Sequence, residues 1–202
     1  ITELDSLGWQ YNSSVYLTFT RDSRDNVFYP TSGSQFTIYQ EIAGGILGGD
    51  FDYYKVIGEM RWFIKTFWKF VLRAKVRYSY VTPYGRSDKV PPEERFYLGG
   101  TGVEGVRGYA ENSIGPEDGG HRAVIFSTEY TWPIASDQII GLLFFDAGDS
   151  YDTLSEFNFW KMKKGGGIGL RVRSPFGLIG FDYAYNFDDH EWEPHFQFGT
   201  TF

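Results

Sequence analysis

Polar and apolar residues alternate almost one for one along much of this chain. A period of two marks a strand with one apolar and one polar side. The clearest run is Phe67 to Val81. Trp68, Phe70, Leu72, Ala74, Val76, Tyr78 and Tyr80 share one face, with Lys69, Arg73, Lys75 and Arg77 on the other. Such a run extends roughly 40 Å at strand rise, longer than a typical soluble strand. Tyr53 to Ile64 repeats the pattern, with Tyr54, Val56, Gly58, Met60, Trp62 and Ile64 opposite Lys55, Glu59 and Arg61. The same reading predicts strands at 15–21, 35–42, 123–132, 139–148, 166–173, 178–187 and 195–202, nine in all. No long helix, internal domain boundary or low-complexity segment is read.

The connections are read as alternating in length. Lys65-Thr66, Pro133 to Ser136 and Ser174 to Gly177 are short; 43–52, 82–122, 149–164 and 188–194 are long. Membrane barrels have this arrangement, with short turns on one side and long loops on the other. A soluble β-sandwich also alternates along its strands but has no reason to keep that parity.

Composition points the same way. Aromatic residues make up 20% of the 202 residues and glycine accounts for 25 of them. Mean hydropathy is nevertheless only -0.34. No apolar run approaches the roughly 20 residues of a membrane helix. Alternation hides the apolar face of a transmembrane strand from any average. The fold expected is therefore all-β, an antiparallel transmembrane β-barrel. A net charge of -7 argues against general nucleic-acid binding. The absence of cysteine excludes disulfides and thiolate metal sites. The sequence begins at Ile1 without a signal peptide, so an exported protein is expected to be present here as a mature fragment.

Nine strands cannot close as a simple up-and-down antiparallel barrel, and bacterial barrels use even numbers. An open edge facing lipid costs several kcal/mol per unpaired group. Either one segment does not span, or further strands precede Ile1.

The longest loop holds the densest information. Arg95-Phe96-Tyr97-Leu98-Gly99-Gly100 leads into Val103-Glu104-Gly105-Val106-Arg107-Gly108-Tyr109. It is too aromatic for a disordered linker, and loops of this length are commonly functional. Glu129 lies on the polar side of its strand. Asp146 ends Phe144-Phe145-Asp146-Ala147-Gly148, in a strand apolar on both faces. A doubly apolar strand in a barrel wall needs something packed inside, and an inward-folded loop is the natural candidate. A buried Arg107 needs charged partners, and Glu129 and Asp146 are within possible reach. The alternative is a solvated loop arginine beside an ordinary lumen acid. Gly105 and Gly108 flank the tip, where backbone is expected to approach the wall.

No catalytic site is read, so the protein is not expected to be an enzyme. No Ser-His-Asp spacing stands out among His121, His190 and His195. Asp188-Asp189-His190-Glu191 reads as a solvated acidic loop before it reads as a metal site. The Gly99–Gly102 run has no following helix to make a phosphate cradle. No cofactor is expected. Lys69, Arg73, Lys75, Arg77, Arg171 and Arg173 would line the lumen, balanced by Glu59, Glu129, Asp146 and Asp182. A balanced lumen is the simpler reading, and a role toward anions or lipopolysaccharide is the other.

These motifs resemble those of BamA-type outer-membrane assembly factors of the bacterial surface antigen superfamily. The resemblance rests on the Val106-Arg107-Gly108-Tyr109 loop, the Phe144–Gly148 strand end, the Tyr29-Pro30-Thr31-Ser32-Gly33 turn and the terminal Phe202. Tyr29 and Tyr109 stand where many members have Phe. The resemblance implies a sixteen-stranded barrel, of which residues 1–202 would be the last nine strands. It implies that the loop around 82–122 folds inward and that Arg107 pairs with Glu129 and Asp146, with Gly105, Val106, Gly108 and Tyr109 completing the lock. It also implies a lateral seam and assembly signal at Phe196, Phe198, Gly199 and Phe202. The function implied is insertion of β-barrel clients into the bacterial outer membrane. Partners would be outer-membrane lipid and lipopolysaccharide, unfolded clients and accessory lipoproteins. A polypeptide-secreting relative or a passive channel are the alternatives. The number of upstream POTRA domains would separate insertase from secretion pore.

Overall fold

A computed structural model describes residues 10–135, 138–174 and 177–198. Over these residues the alternating segments form one antiparallel sheet of nine strands in sequence order. The first four are β1 (Ser14–Asp22), β2 (Gly33–Ala43), β3 (Tyr53–Lys65) and β4 (Val71–Pro83). After the long loop come β5 (Arg122–Ala135), β6 (Ile139–Tyr151), β7 (Lys163–Ser174), β8 (Gly177–Asn186) and β9 (Trp192–Phe198). Most match or exceed the roughly 9–11 residues a tilted strand needs to cross a bilayer. Among the described residues no helix is long and apolar enough to cross a membrane.

The burial pattern is inverted relative to a soluble sheet. Glu59, Lys75, Glu129, Asp146, Arg171 and Asp182 are buried, while Met60, Ile64, Leu143, Phe145, Ile168 and Phe181 are exposed. Apolar residues on the outer face suit lipid, and polar residues face inward. Aromatics gather near both strand ends. Phe70 stacks on Tyr130 at 5.3 Å on the short-turn side, and Tyr183 on Trp192 at 4.8 Å near the opposite end. The sheet curls strongly: the Tyr29 ring, between β1 and β2, lies 3.6 Å from the Arg173 guanidinium carbon on β7.

The inner face is filled by the loop between β4 and β5. Val90, Phe96, Leu98, Val106, Tyr109 and Ile114 are buried in one cluster with Tyr53, Val81, Ala123 and Ile125 of the wall. Short bridges at Phe96–Gly120 and Leu98–Ile114 give the loop internal order. The Ser150 hydroxyl on β6 donates to the Phe96 carbonyl at 2.8 Å.

Three strand boundaries and one connection differ from expectation in ways that local contacts explain. The strand read from Phe67 begins at Val71, because Phe67 to Phe70 form a turn. In it Thr66 N–H donates to the Phe70 carbonyl at 3.0 Å, and Trp68 takes a φ of 51°. Its aromatics continue the alternation by composition while leaving the strand. Pro133 to Ala135 belong to β5 rather than to a turn, with a register shift that accommodates the proline. The last strand starts at Trp192 and so includes Pro194, tolerated on a sheet edge. The alternation of connection lengths also breaks at 23–32, a long segment on the short-turn side. The Asp25 carboxylate organises it, accepting from Thr31 N–H at 2.8 Å, the Thr31 hydroxyl at 2.6 Å and Ser32 N–H at 3.1 Å.

Candidate functional site

Strand registers carry the site's acids to neighbouring places on the inner wall. Arg73 on β4 lies opposite Glu129 on β5, and Asp146 on β6 lies opposite Ser127 of β5. Asp182 on β8 pairs in register with Gly169 on one side and His195 on the other. Inward-facing positions recur every second residue, so one register slip would turn all of these outward.

Arg107 descends from the loop into this group with only 1% of its side chain accessible. Its Nε donates to Asp146 Oδ2 at 2.7 Å and its Nη2 to Oδ1 at 3.0 Å, a bidentate pair. The Arg107 main-chain N–H also donates to Asp146 Oδ2, at 3.2 Å. Nη1 donates to Glu129 Oε1 at 2.8 Å and to Asp182 Oδ2 at 3.3 Å. The guanidinium carbon sits 3.7 Å from the centre of the Phe144 ring, a cation–π contact that covers one face. Burial alone would lower the Arg107 pKa. The charges of Asp146 and then Glu129 outweigh it and hold the pKa above its ordinary value.

Three carboxylates around one arginine would repel each other, and a second cation offsets part of that repulsion. Arg171 on β7 donates to Asp182 at 2.6 Å and 2.9 Å and approaches Glu129 at 3.5 Å. Asp182 and Arg171 were legible only as inward charges. Asp182 is 75 residues from Arg107 in sequence, and no local spacing ties the two.

Gly105 departs from expectation, whereas Gly108 approaches the wall as expected. A Cβ on Gly105 would meet Thr101 of its own loop at 2.6 Å, so its tightness is internal to the loop. Gly108 has a φ of 97° and packs against the backbone of Tyr185 and Asn186. The closest approach to the wall is made on the β7 side: a Cβ on Gly165 would lie 1.8 Å from the Arg107 carbonyl oxygen. Gly169 likewise leaves room for the Asp182 carboxylate, with 1.9 Å from its would-be Cβ to Oδ1. The run Gly165-Gly166-Gly167 with Gly169 was the available signal for this clearance.

Two further contacts tie the loop to neighbouring segments. The Tyr109 hydroxyl lies 3.1 Å from both the Lys164 carbonyl and Asp188 Oδ2, and burial with the Asp188 charge raises its pKa. Gly108 N–H donates to His195 Nε2 on β9 at 2.9 Å, joining the loop tip to the last strand. Phe196 and Phe198 point outward, 72% and 88% exposed. Gly199 and Phe202 lie outside the described residues. His190 meets the Tyr185 hydroxyl at 3.0 Å. Among the described residues no group of His, Asp or Glu could hold a metal ion.

The model of the Omp85 superfamily domain matches residues 2–202. The chain belongs to the Omp85 superfamily. This Omp85 chain is 36% identical over 192 residues to the outer membrane protein assembly factor BamA of Nitratidesulfovibrio vulgaris, covering 90% of this chain and 24% of that protein. It is 28% identical to BamA of Neisseria meningitidis serogroup B, over 96% of this chain and 29% of that protein. It therefore spans about a quarter of the length of these relatives. The crystal structure of BamA from Haemophilus ducreyi lacking POTRA domains 1-3 superposes with a TM-score of 0.77 at 24% identity, over 93% of this chain and 41% of that one. That likeness concerns the fold.

Proposed function

We propose that this Omp85 chain is the C-terminal part of an outer-membrane insertase barrel, which folds and inserts β-barrel clients. The BamA relatives are named as outer membrane protein assembly factors, which supports this reading and a bacterial outer-membrane location. The observation that carries it is the buried Arg107 clasp and its link to the last strand through Gly108 and His195. An insertase needs an interior held in place beside a seam that opens. The clasp braces the loop against β5, β6 and β8, while β9 pairs only with β8 among the described residues. Unpaired strand edges are templates for added strands, so a client strand joins at that edge. The complete barrel has sixteen strands, with the remainder on the far side of β1. Its partners are unfolded outer-membrane proteins, accessory lipoproteins and lipopolysaccharide.

The test is complementation in cells depleted of the native assembly factor, using the full-length protein. Arg107→Ala and Asp146→Asn are expected to lower porin levels in the outer membrane. Normal porin assembly by both variants would refute the clasp's role.

A further inference from the structure

The loop between β6 and β7 turns back over the outer face of the wall. Met162 is buried there with Val124, Ala147 and Tyr151, and Phe126 packs against the group. Ile125, between Val124 and Phe126, belongs to the inner cluster, which places those two outside. The Phe159 ring meets Phe126 edge-on at 6.0 Å. Phe126 stands opposite Ala147, whereas β5 and β6 stay paired as far as Arg122 and Tyr151. The contact therefore lies below the rim. Trp160 follows Phe159 and is 81% exposed. The turn Phe159–Lys161 builds that exposure: Asn158 Oδ1 accepts from Trp160 N–H at 3.0 Å, and Lys164 Nζ donates to the Trp160 carbonyl at 2.9 Å. The acids of the loop are engaged at its other end. Asp152 meets His121 Nδ1 at 2.7 Å, and Glu156 accepts from Asp152 N–H and the Thr153 hydroxyl.

Large apolar side chains held out together mark a contact surface. This one is continuous with the wall that meets lipid, because Leu143 and Phe145 lie on the same outward face of β6 as Ala147 and are exposed. An indole suits the boundary between acyl chains and headgroups, since its ring is apolar and its N–H polar. Lys161 beside it is exposed, and a lysine stem lies on apolar surface while its ammonium stays in the polar layer. We propose that the β6–β7 loop is a membrane foot. Phe159 and Trp160 enter the acyl–headgroup boundary of the leaflet on the long-loop side and fix the height of β5 and β6 in the bilayer. The occupant of the patch is lipid. The Tyr183–Trp192 stack marks the same end of the wall, and the foot extends that belt onto chain outside the strands. The inference is independent of client handling and holds whichever polypeptide the barrel handles.

The experiment uses the full-length protein in phosphatidylcholine vesicles. Subtracting the emission of Trp160→Phe from that of the wild type isolates Trp160, and heat-modifiable mobility shows that the variant is folded. The lipid carries bromine, a contact quencher, either near the headgroup or at the chain terminus. Trp160 is expected to lose most of its emission to bromine near the headgroup and little to bromine at the terminus. Moving the indole by one residue, with Phe159→Trp in the Trp160→Phe background, is expected to give the same order. Quenching by aqueous acrylamide without quenching by brominated lipid would overturn the foot in favour of a loop standing in water. Protection from both quenchers would overturn it in favour of a protein partner, a second copy of this chain included. Quenching as strong at the chain terminus as near the headgroup would overturn the level assigned to it.

Discussion

Arg107 illustrates how a buried charge becomes acceptable. Removing a guanidinium from water costs several kcal/mol, and only close, well-aligned partners compensate. Asp146 engages it bidentately, Glu129 and Asp182 take the third nitrogen, and Arg171 offsets part of the surplus negative charge. Breaking one partner of such a group typically costs about 3–5 kcal/mol, mostly from the charges left unpaired. The clearance at Gly165 is equally specific. Gly165→Ala is expected to push the Arg107 carbonyl off the wall and destabilise the fold by about 1–3 kcal/mol, as overpacking does. Limited trypsinolysis of the folded full-length variant checks this: cleavage after Arg107 should appear there and be absent in the wild type. Equal resistance would count against the close approach. Arg107, Glu129 and Asp146 were named as a set through the family resemblance, while the residues alone left a solvated loop arginine open. Asp182 was not among them, because it reaches the set only through the curl of the wall.

Among the described elements, β9 combines a single paired edge with a tie to the loop inside. It pairs along one edge with β8, carries Pro194, and is held from inside by the Gly108–His195 hydrogen bond. His195→Ala is expected to speed hydrogen exchange of β9 amides about fivefold, the effect of losing one bond of ~1 kcal/mol. Exchange in β5 and β6, anchored through Glu129 and Asp146, should stay unchanged. A uniform change across all strands would point to general destabilisation instead. Strand existence was legible throughout from period-two alternation. The ends at Val71 and Ala135 were not, because Phe67 to Phe70 and Pro133 to Ala135 continue or interrupt a pattern without changing the hydrogen bonding as the pattern implies. Turn contacts such as Thr66 to Phe70 decide those ends.

For the whole molecule, the open edge of β1 sets the expectation. All nine of its residues are exposed, including Val15, Leu17 and Phe19, and it pairs only with β2 among the described residues. Unpaired backbone groups in lipid each cost several kcal/mol, so residues 1–202 alone should not form a closed barrel. Refolding this segment in detergent and measuring heat-modifiable mobility and mass checks this. A monodisperse, heat-modifiable monomer would show that the nine strands suffice.

The sequence by itself determined the strands, the face each presents and the inward acids on the two strands that follow the long loop. These follow from alternation and chain order, both short-range properties. Only the tertiary structure decided that Asp182 and Arg171 complete the clasp, that His195 ties the loop to the last strand, that Gly165 admits the loop, and that 23–32 reaches Arg173. Each of those contacts depends on register and twist summed over several strands, where a shift of one residue would turn every inward group outward.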